Sequence, residues 1–338
     1  MRLQHVAAYL QLESRKTFRR LSGEVGRALL SPQQIKDLNE RHNFRFTRED
    51  LLDADGSPKK IKDAYLGLRS RCNSTCGFCL ANLKTDTRPD VAMTMVTFRR
   101  IVDELKAMGS DGYLNFHCMS EPLLHPQIVE FVSIASEELP AMTTRILTNG
   151  KKLTVGMARR LADTGVKKVQ VSTYLERLTD PLPKNLQTIL AEVDRYRSDT
   201  DPWFASWQWG ETHFQIERQQ ETAVRENLGG HSPNAAEVRG QYWGFCEFPF
   251  RAVAINPEGK IAKCPWDFGF SDAIGDLASG PIDSQWRNGP LQAVREKLSS
   301  GVRDGLTQCT SCNFNGGCRR NTRRTFMQRV AAHLVPTH

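Results

Sequence analysis

The sequence predicts an α/β protein built on a partial barrel of parallel strands with helices on its outer face. Three observations predict it. Short apolar runs alternate with amphipathic stretches from about residue 61, the pattern of strands and crossover helices. Segments rich in cysteine and polar residues fall at or just after the ends of those runs, where such sheets carry their chemistry. The rhythm stops near residue 200 and gives way to a hairpin and a second group of cysteines.

Residues 1–60 space their apolar side chains as helices do: Val6, Leu10 and Leu12, then Ile35 and Leu38 after the Ser31–Pro32 start signal. DADGSPKK, 53–60, is a turn-rich linker. The run Ala64 to Leu68 reads as a short buried strand leading into CNSTCGFC. A helix over 94–108, with Val96, Ile101, Leu105 and Met108 near one face, ends at Gly109 as C-cap. GYLNFHC reads as a strand, HPQIVEFVSIASEEL as a helix, and TRILTNG as a strand into a turn. MARRLADTG is a helix closed by glycine, KVQVSTY a strand and KNLQTILAEVDRYR a helix. WFASWQWGETHFQIE holds the last strand or strands, and FRAVAINPEGKIAKC is a hairpin around Asn-Pro-Glu-Gly.

The bulk numbers describe a soluble, cytoplasmic protein of one or two domains. Of 338 residues 39% are apolar and 25% charged, no apolar run approaches a membrane span, and the N-terminus is too polar for a signal peptide. The net charge of +8 is not a nucleic-acid signature. Residues 1–60 carry +4 and 319–338 carry +5, leaving −1 over 61–318, so nucleic acid is an unlikely partner.

Nine cysteines without a signal peptide argue for ligation, not disulfides. Cys72, Cys76 and Cys79 sit on one loop, and no further cysteine follows until Cys118. Structural zinc wants a nearby fourth ligand; three thiolates alone suit an iron–sulfur cube with one iron open to a substrate or cofactor. Cys246, Cys264, Cys309, Cys312 and Cys318 form the second group, with Gly259 turning the hairpin that brings the first two together. A zinc knuckle is the competing reading of this group.

The C-x3-C-x2-C loop and the barrel pattern after it resemble the radical S-adenosylmethionine (SAM) superfamily over roughly 61–217. The resemblance implies a (β/α)6-type, TIM-like partial barrel in which Cys72, Cys76 and Cys79 hold a [4Fe–4S] cluster whose fourth iron SAM chelates. It places Phe78 against the adenine and makes Glu121 and Pro122 the remnant of a Gly-Gly-Glu-Pro segment, with Met119 and Ser120 replacing the glycines. Glu121 would accept from the SAM amino group, and Ser172 and Asn149 would turn polar groups toward SAM. The second cysteine group resembles a SPASM or twitch extension, which implies one auxiliary [4Fe–4S] cluster on Cys246, Cys264, Cys309 and Cys312 and leaves Cys318 spare or on a ligand-poor second cluster.

The expected organisation is a helical extension over 1–60, the barrel over 61–217, a linker over 218–245, a small α+β cluster-binding unit over 246–318 and a basic tail over 319–338. The expected partners are a small-molecule substrate and an electron donor such as flavodoxin or ferredoxin. The expected activity is hydrogen abstraction from a sugar or aminocyclitol, as dehydrogenation or epimerisation, with the auxiliary cluster accepting an electron. Cys118 and Cys318 are candidate hydrogen donors, His117, His125 and His213 candidate bases. The aromatic run Trp203, Phe204, Trp207 and Trp209 lines a pocket or packs a strand. A maturase acting on a ribosomally made peptide and a zinc-binding nucleic-acid adaptor are the alternatives.

Overall fold

The computed structural model describes residues 51–193, 204–220, 229, 233, 246–287, 290–299 and 302–312. Most of the 1–60 extension, most of the 218–245 linker and the basic tail fall outside them. The first repeats follow the expected order: β1 (Asp63–Leu66), α1 (Met95–Ala107), β2 (Tyr113–Phe116), α2 (Ile128–Glu138), β3 (Thr143–Thr148), α3 (Val155–Ala162), β4 (Lys168–Leu175) and α4 (Lys184–Ala191). A hairpin of β5 (Phe204–Trp209) and β6 (Thr212–Gln220) follows. The C-terminal part contains α5 (Phe248–Arg251), β7 (Ala252–Ile255), β8 (Lys260–Ala262), β9 (Ala273–Asp276), α6 (Ile282–Arg287) and α7 (Pro290–Ser299).

These strands form one open, nine-stranded sheet in the order β5-β6-β4-β3-β2-β1-β7-β8-β9. From β6 through β7 every neighbour pair is parallel, while β5, β8 and β9 pair antiparallel. The hairpin expected in the 246–318 unit therefore lends its first strand to the barrel sheet, with Asp63 to Leu66 opposite Ala252 to Ile255. The reason lies in its composition. All four residues of β7 are buried, and a two-stranded hairpin alone covers only one face.

Alternation along the strands sorts the two faces. Ala64, Leu114, Phe116, Ile146, Val169, Val171, Phe214, Ile216 and Val253 pack with the helices in one apolar core. Their neighbours Tyr65, Asn115, Arg145, Gln170 and Glu217 belong to the inner face. In α1 the buried stripe is Phe98, Ile101, Val102 and Leu105, with Phe98 stacked on Phe131 at 4.2 Å. Val96, expected on that stripe, is 80% exposed, because at 100° per residue it lies about 200° from Phe98. Thr94 caps the helix by accepting from the Thr97 N–H at 3.1 Å. Trp207 and Trp209 pack on Phe214 under the helices, so they are core and not pocket; Trp203 lies outside the described residues.

The hairpin turn is set by Gly259, whose φ of +89° lies in the left-handed region, with its N–H donating to Asn256 O at 3.0 Å. A buried ion triad fastens this hairpin to the barrel. Arg251 donates Nε to Glu247 Oε1 at 2.8 Å and pairs through Nη1 with Asp63 Oδ2. Asp63 Oδ1 also accepts from the Tyr113 N–H at 3.0 Å. Removing one member of a buried, hydrogen-bonded set strands the remaining charge. Asp63→Ala should lower stability by about 3–5 kcal/mol in urea denaturation; a loss below about 1 kcal/mol would show that the triad does not anchor the hairpin.

Candidate active site

The C-terminal ends of β1 to β4 form one rim, and the sequence places its polar motifs there. The loop CNSTCGFC follows β1, Cys118 to Pro122 follow β2, and Asn149 follows β3. Glu121 holds the rim together. Its carboxylate is buried at 2% exposure and accepts from Leu123 N–H at 3.0 Å, the Thr148 hydroxyl at 2.6 Å and Asn149 N–H at 2.7 Å. Burial pushes its pKa up, and these donors pull it back. The Glu121 N–H donates in turn to Arg71 O at 3.0 Å, just before the cysteine loop.

Asn149 carries this order into the loop. Its Nδ2 donates to Asn73 Oδ1 at 2.7 Å and approaches Cys72 Sγ at 3.6 Å. Lys151 Nζ donates to Asn73 O at 3.2 Å. Inside the loop, Cys79 N–H donates to Cys76 O at 3.1 Å and Asn82 Nδ2 to the same oxygen at 3.1 Å. Cys76 is buried, while Cys72 and Cys79 are half-buried. Burial raises the Cys72 thiol and pushes Cys79 up to about 11.

The other rim residues fall as follows. Phe78 meets Tyr174 with ring centroids 5.4 Å apart. Pro122 opens a buried 3-10 turn over 122–124. Ser172, expected at the end of its strand, lies within β4, which continues to Leu175. Met119, standing where the related segment has glycine, adopts φ +53°; that left-handed backbone is what glycine supplies without strain. Arg88 Nη2 donates to Met119 O at 3.1 Å and to Ser70 O at 3.0 Å, clasping the two loops. Arg88 and Thr148 were not anticipated; only the position of Thr148 at a strand's C-terminal end could have flagged it.

The second cysteine group gathers beside β7. Cys246, Cys264, Cys309 and Cys312 line one cavity with Phe248 and Trp266. Backbone N–H groups already address thiols here, among them Trp266 N–H to Cys264 Sγ at 3.4 Å and Gly229 N–H to Cys312 Sγ at 3.3 Å. Gly229 has φ +70°, and a Cβ there would stand 2.1 Å from Trp266 O, so only glycine permits this approach. Burial, then mutual repulsion, raises Cys264 well above its ordinary value, and burial pushes Cys246 up to about 12. Cys318 lies outside the described residues. Cys118 is buried between the two regions, packs in a cluster with Tyr65 and Phe248, and directs its thiol at Pro265 O, 3.7 Å away. Burial pushes it up to about 12.

Burial shifts all three candidate histidines downward. Burial lowers His117 to about 3, and it meets the Tyr65 ring edge-on at 5.6 Å. His125 contacts Met93 O through Nε2 at 3.0 Å and accepts from Gln127 N–H at 3.2 Å. His213 is lowered by burial.

The donor sets fit iron–sulfur clusters better than single ions. Among the described residues no three ligating side chains converge on a point that one ion would fill. A four-iron cube is larger than an ion and spreads its thiolates apart, and N–H groups aimed at sulfur are a regular feature of such sites. Three thiols at the rim and four around an inner cavity match that chemistry.

Residues 68–180 match the family model described as the Radical SAM superfamily. The chain is 22% identical over 246 residues to the S-adenosyl-L-methionine-dependent 2-deoxy-scyllo-inosamine dehydrogenase of Niallia circulans, across 73% of this chain and 90% of that protein. It is 30% identical over 112 residues to the tungsten-containing aldehyde ferredoxin oxidoreductase cofactor-modifying protein of Pyrococcus furiosus, across 33% of this chain and 30% of that one. The fold is similar to the crystal structure of BtrN in complex with AdoMet and 2-DOIA, with a TM-score of 0.60 and 20% identity over 75% of this chain and 93% of that chain. No helix among the described residues is long and apolar enough to cross a membrane.

Glu121→Ala would strip three donors of their acceptor and release Asn149 from the rim. Hydrogen exchange at the Leu123 and Asn149 amides should accelerate at least about tenfold, as expected when local protection is lost. Unchanged exchange at both amides would remove Glu121 from its organising role.

Proposed function

We propose that this chain, whose residues 68–180 match the Radical SAM family model, is a radical SAM enzyme that oxidises an alcohol carbon of a small polar cyclitol or sugar by two electrons. The observation that carries the reading is the four-thiol cavity set against the inner face of the barrel. Cys246 and Cys264 pack against a cluster that includes Tyr65, Cys118, Phe248 and Ala254, so a group bound there would adjoin the inner face of the sheet that carries the three-cysteine loop at its rim. The relative from Niallia circulans, a SAM-dependent dehydrogenase of an aminocyclitol, supports the same class.

The residues divide the work. Cys72, Cys76 and Cys79 hold one [4Fe–4S] cluster, and Cys246, Cys264, Cys309 and Cys312 hold another. Bound at these sites, the first cluster with SAM would supply a radical able to take a hydrogen atom from the alcohol carbon, and the second would supply an acceptor for the remaining electron, with the hydroxyl proton released to solvent. Glu121 and Asn149 fix the loop that carries the first thiols. Phe78, backed by Tyr174, offers an aromatic face to the adenine. A flavodoxin or ferredoxin delivers the reducing electron. Epimerisation would need a hydrogen donor at the inner face; among the described residues the candidate donor Cys118 is turned to Pro265 O, which favours dehydrogenation.

Iron and sulfide per chain after anaerobic reconstitution test the ligand assignment. Wild type should hold about eight irons and the Cys72/Cys76/Cys79→Ala variant about four. Zinc in place of iron in both proteins would end the radical reading.

A further inference from the structure

Among the described residues, Glu217 on the inner face of the barrel is a carboxylate with no ion pair and one long hydrogen bond. Strand register orders this face in layers. Asn115 pairs with Arg145, Leu147 with Gln170, Gln170 with Gln215 and Ser172 with Glu217. Glu217 thus stands in the upper layer with Ser172, about two residues or ~7 Å along the strands above Gln215. That is the level of Asn149, which follows Thr148, the partner of Val171, and touches the cysteine loop. Ile216 is buried under the helices, and Glu217 meets Gln170 on the opposite face, with Gln170 Nε2 donating to Oε2 at 3.4 Å. On the other side Phe204 of β5 lies directly across from Glu217.

Two other buried carboxylates of the barrel are already occupied. Asp63 is paired with Arg251, and Glu121 is occupied by three donors. The next residue, Arg218, donates to Leu178 O and Asp180 O and does not serve Glu217. Among the described residues no ion pair reaches Glu217. Deeper on the same face, Arg145 donates to Asn115 Oδ1 at 2.8 Å and covers the Tyr113 ring at 5.3 Å. The inner face therefore runs from a cation near its floor to an anion near its mouth.

We propose that Glu217 binds a protonated amine of the substrate, which makes the substrate a cationic aminocyclitol or amino sugar and not a neutral one. The inference rests on the dehydrogenase reading above. It also fixes an orientation: the ammonium group lies at the mouth beside Glu217 and Phe204, a carboxylate with an aromatic neighbour that suits a cation on an aliphatic ring. The hydroxyl end faces Arg145, which would repel the amine and can donate to oxygen.

Calorimetric binding to the cluster-loaded full chain, with SAM present and without reductant, tests it. The probes are 2-deoxy-scyllo-inosamine and the same cyclitol with hydroxyl in place of amine. Wild type should bind the amine at least about tenfold tighter. Glu217→Gln should erase that preference while keeping SAM affinity, and Glu217→Asp should restore part of it. An unchanged preference in E217Q would overturn the inference alone, as would equal binding of both probes by wild type. Loss of SAM affinity in E217Q would assign the carboxylate to SAM instead. Wild type that binds neither probe would overturn the inference together with the cyclitol reading.

Discussion

The rim depends on one buried carboxylate. A charge at 2% exposure must be satisfied by the protein or change its protonation, and Glu121 meets that demand with donors from two different strand ends. Satisfying it fixes the backbone at Asn149, and Asn149 then fixes Asn73 beside Cys72. The order of the cysteine loop is thus inherited from electrostatics at the end of β3. Hydrogen bonds within the loop, from Cys79 N–H and Asn82 Nδ2 to Cys76 O, then shape its second half.

A second buried charge set performs the same task at the other end of the chain. Arg251 joins Glu247 to Asp63, and it lies between Cys246 and the strand that pairs with β1. Seating β7 in the sheet therefore also seats the wall of the four-thiol cavity. Long-range pairing of residues about 190 apart in sequence is entropically costly, so a desolvated, specific ion set suits the junction better than apolar contact alone. It rejects a one-residue slip of the hairpin, which would bury the charges unpaired.

Much of this was legible in the sequence, for identifiable reasons. Apolar periodicity is local, so the alternation of β1 to β4 with α1 to α4 could be read directly, as could the Gly259 turn. Thiol spacing within CNSTCGFC is local too. What could not be read depends on contacts distant in sequence: β7 entering the barrel sheet, the Thr148 hydroxyl reaching Glu121, and the Gly229 N–H reaching Cys312. Val96 shows a third case, where several registers of an apolar stripe are compatible with one helix and tertiary packing selects among them. The Trp207 and Trp209 pair gave no sign of which face it would take, because aromatic residues serve cores and pockets alike.

These constraints seat one thiol set on the rim and another beside β7, and the central claim is that a substrate carbon held between the groups they would bind gives up its hydrogen. The direct measurement is the fate of that hydrogen. Reconstituted enzyme would be given reductant, SAM and 2-deoxy-scyllo-inosamine deuterated at its carbinol carbons, and the products followed by mass spectrometry. The account predicts deuterium in 5′-deoxyadenosine and an equal amount of ketone. Unlabelled 5′-deoxyadenosine with the cyclitol recovered intact would contradict it.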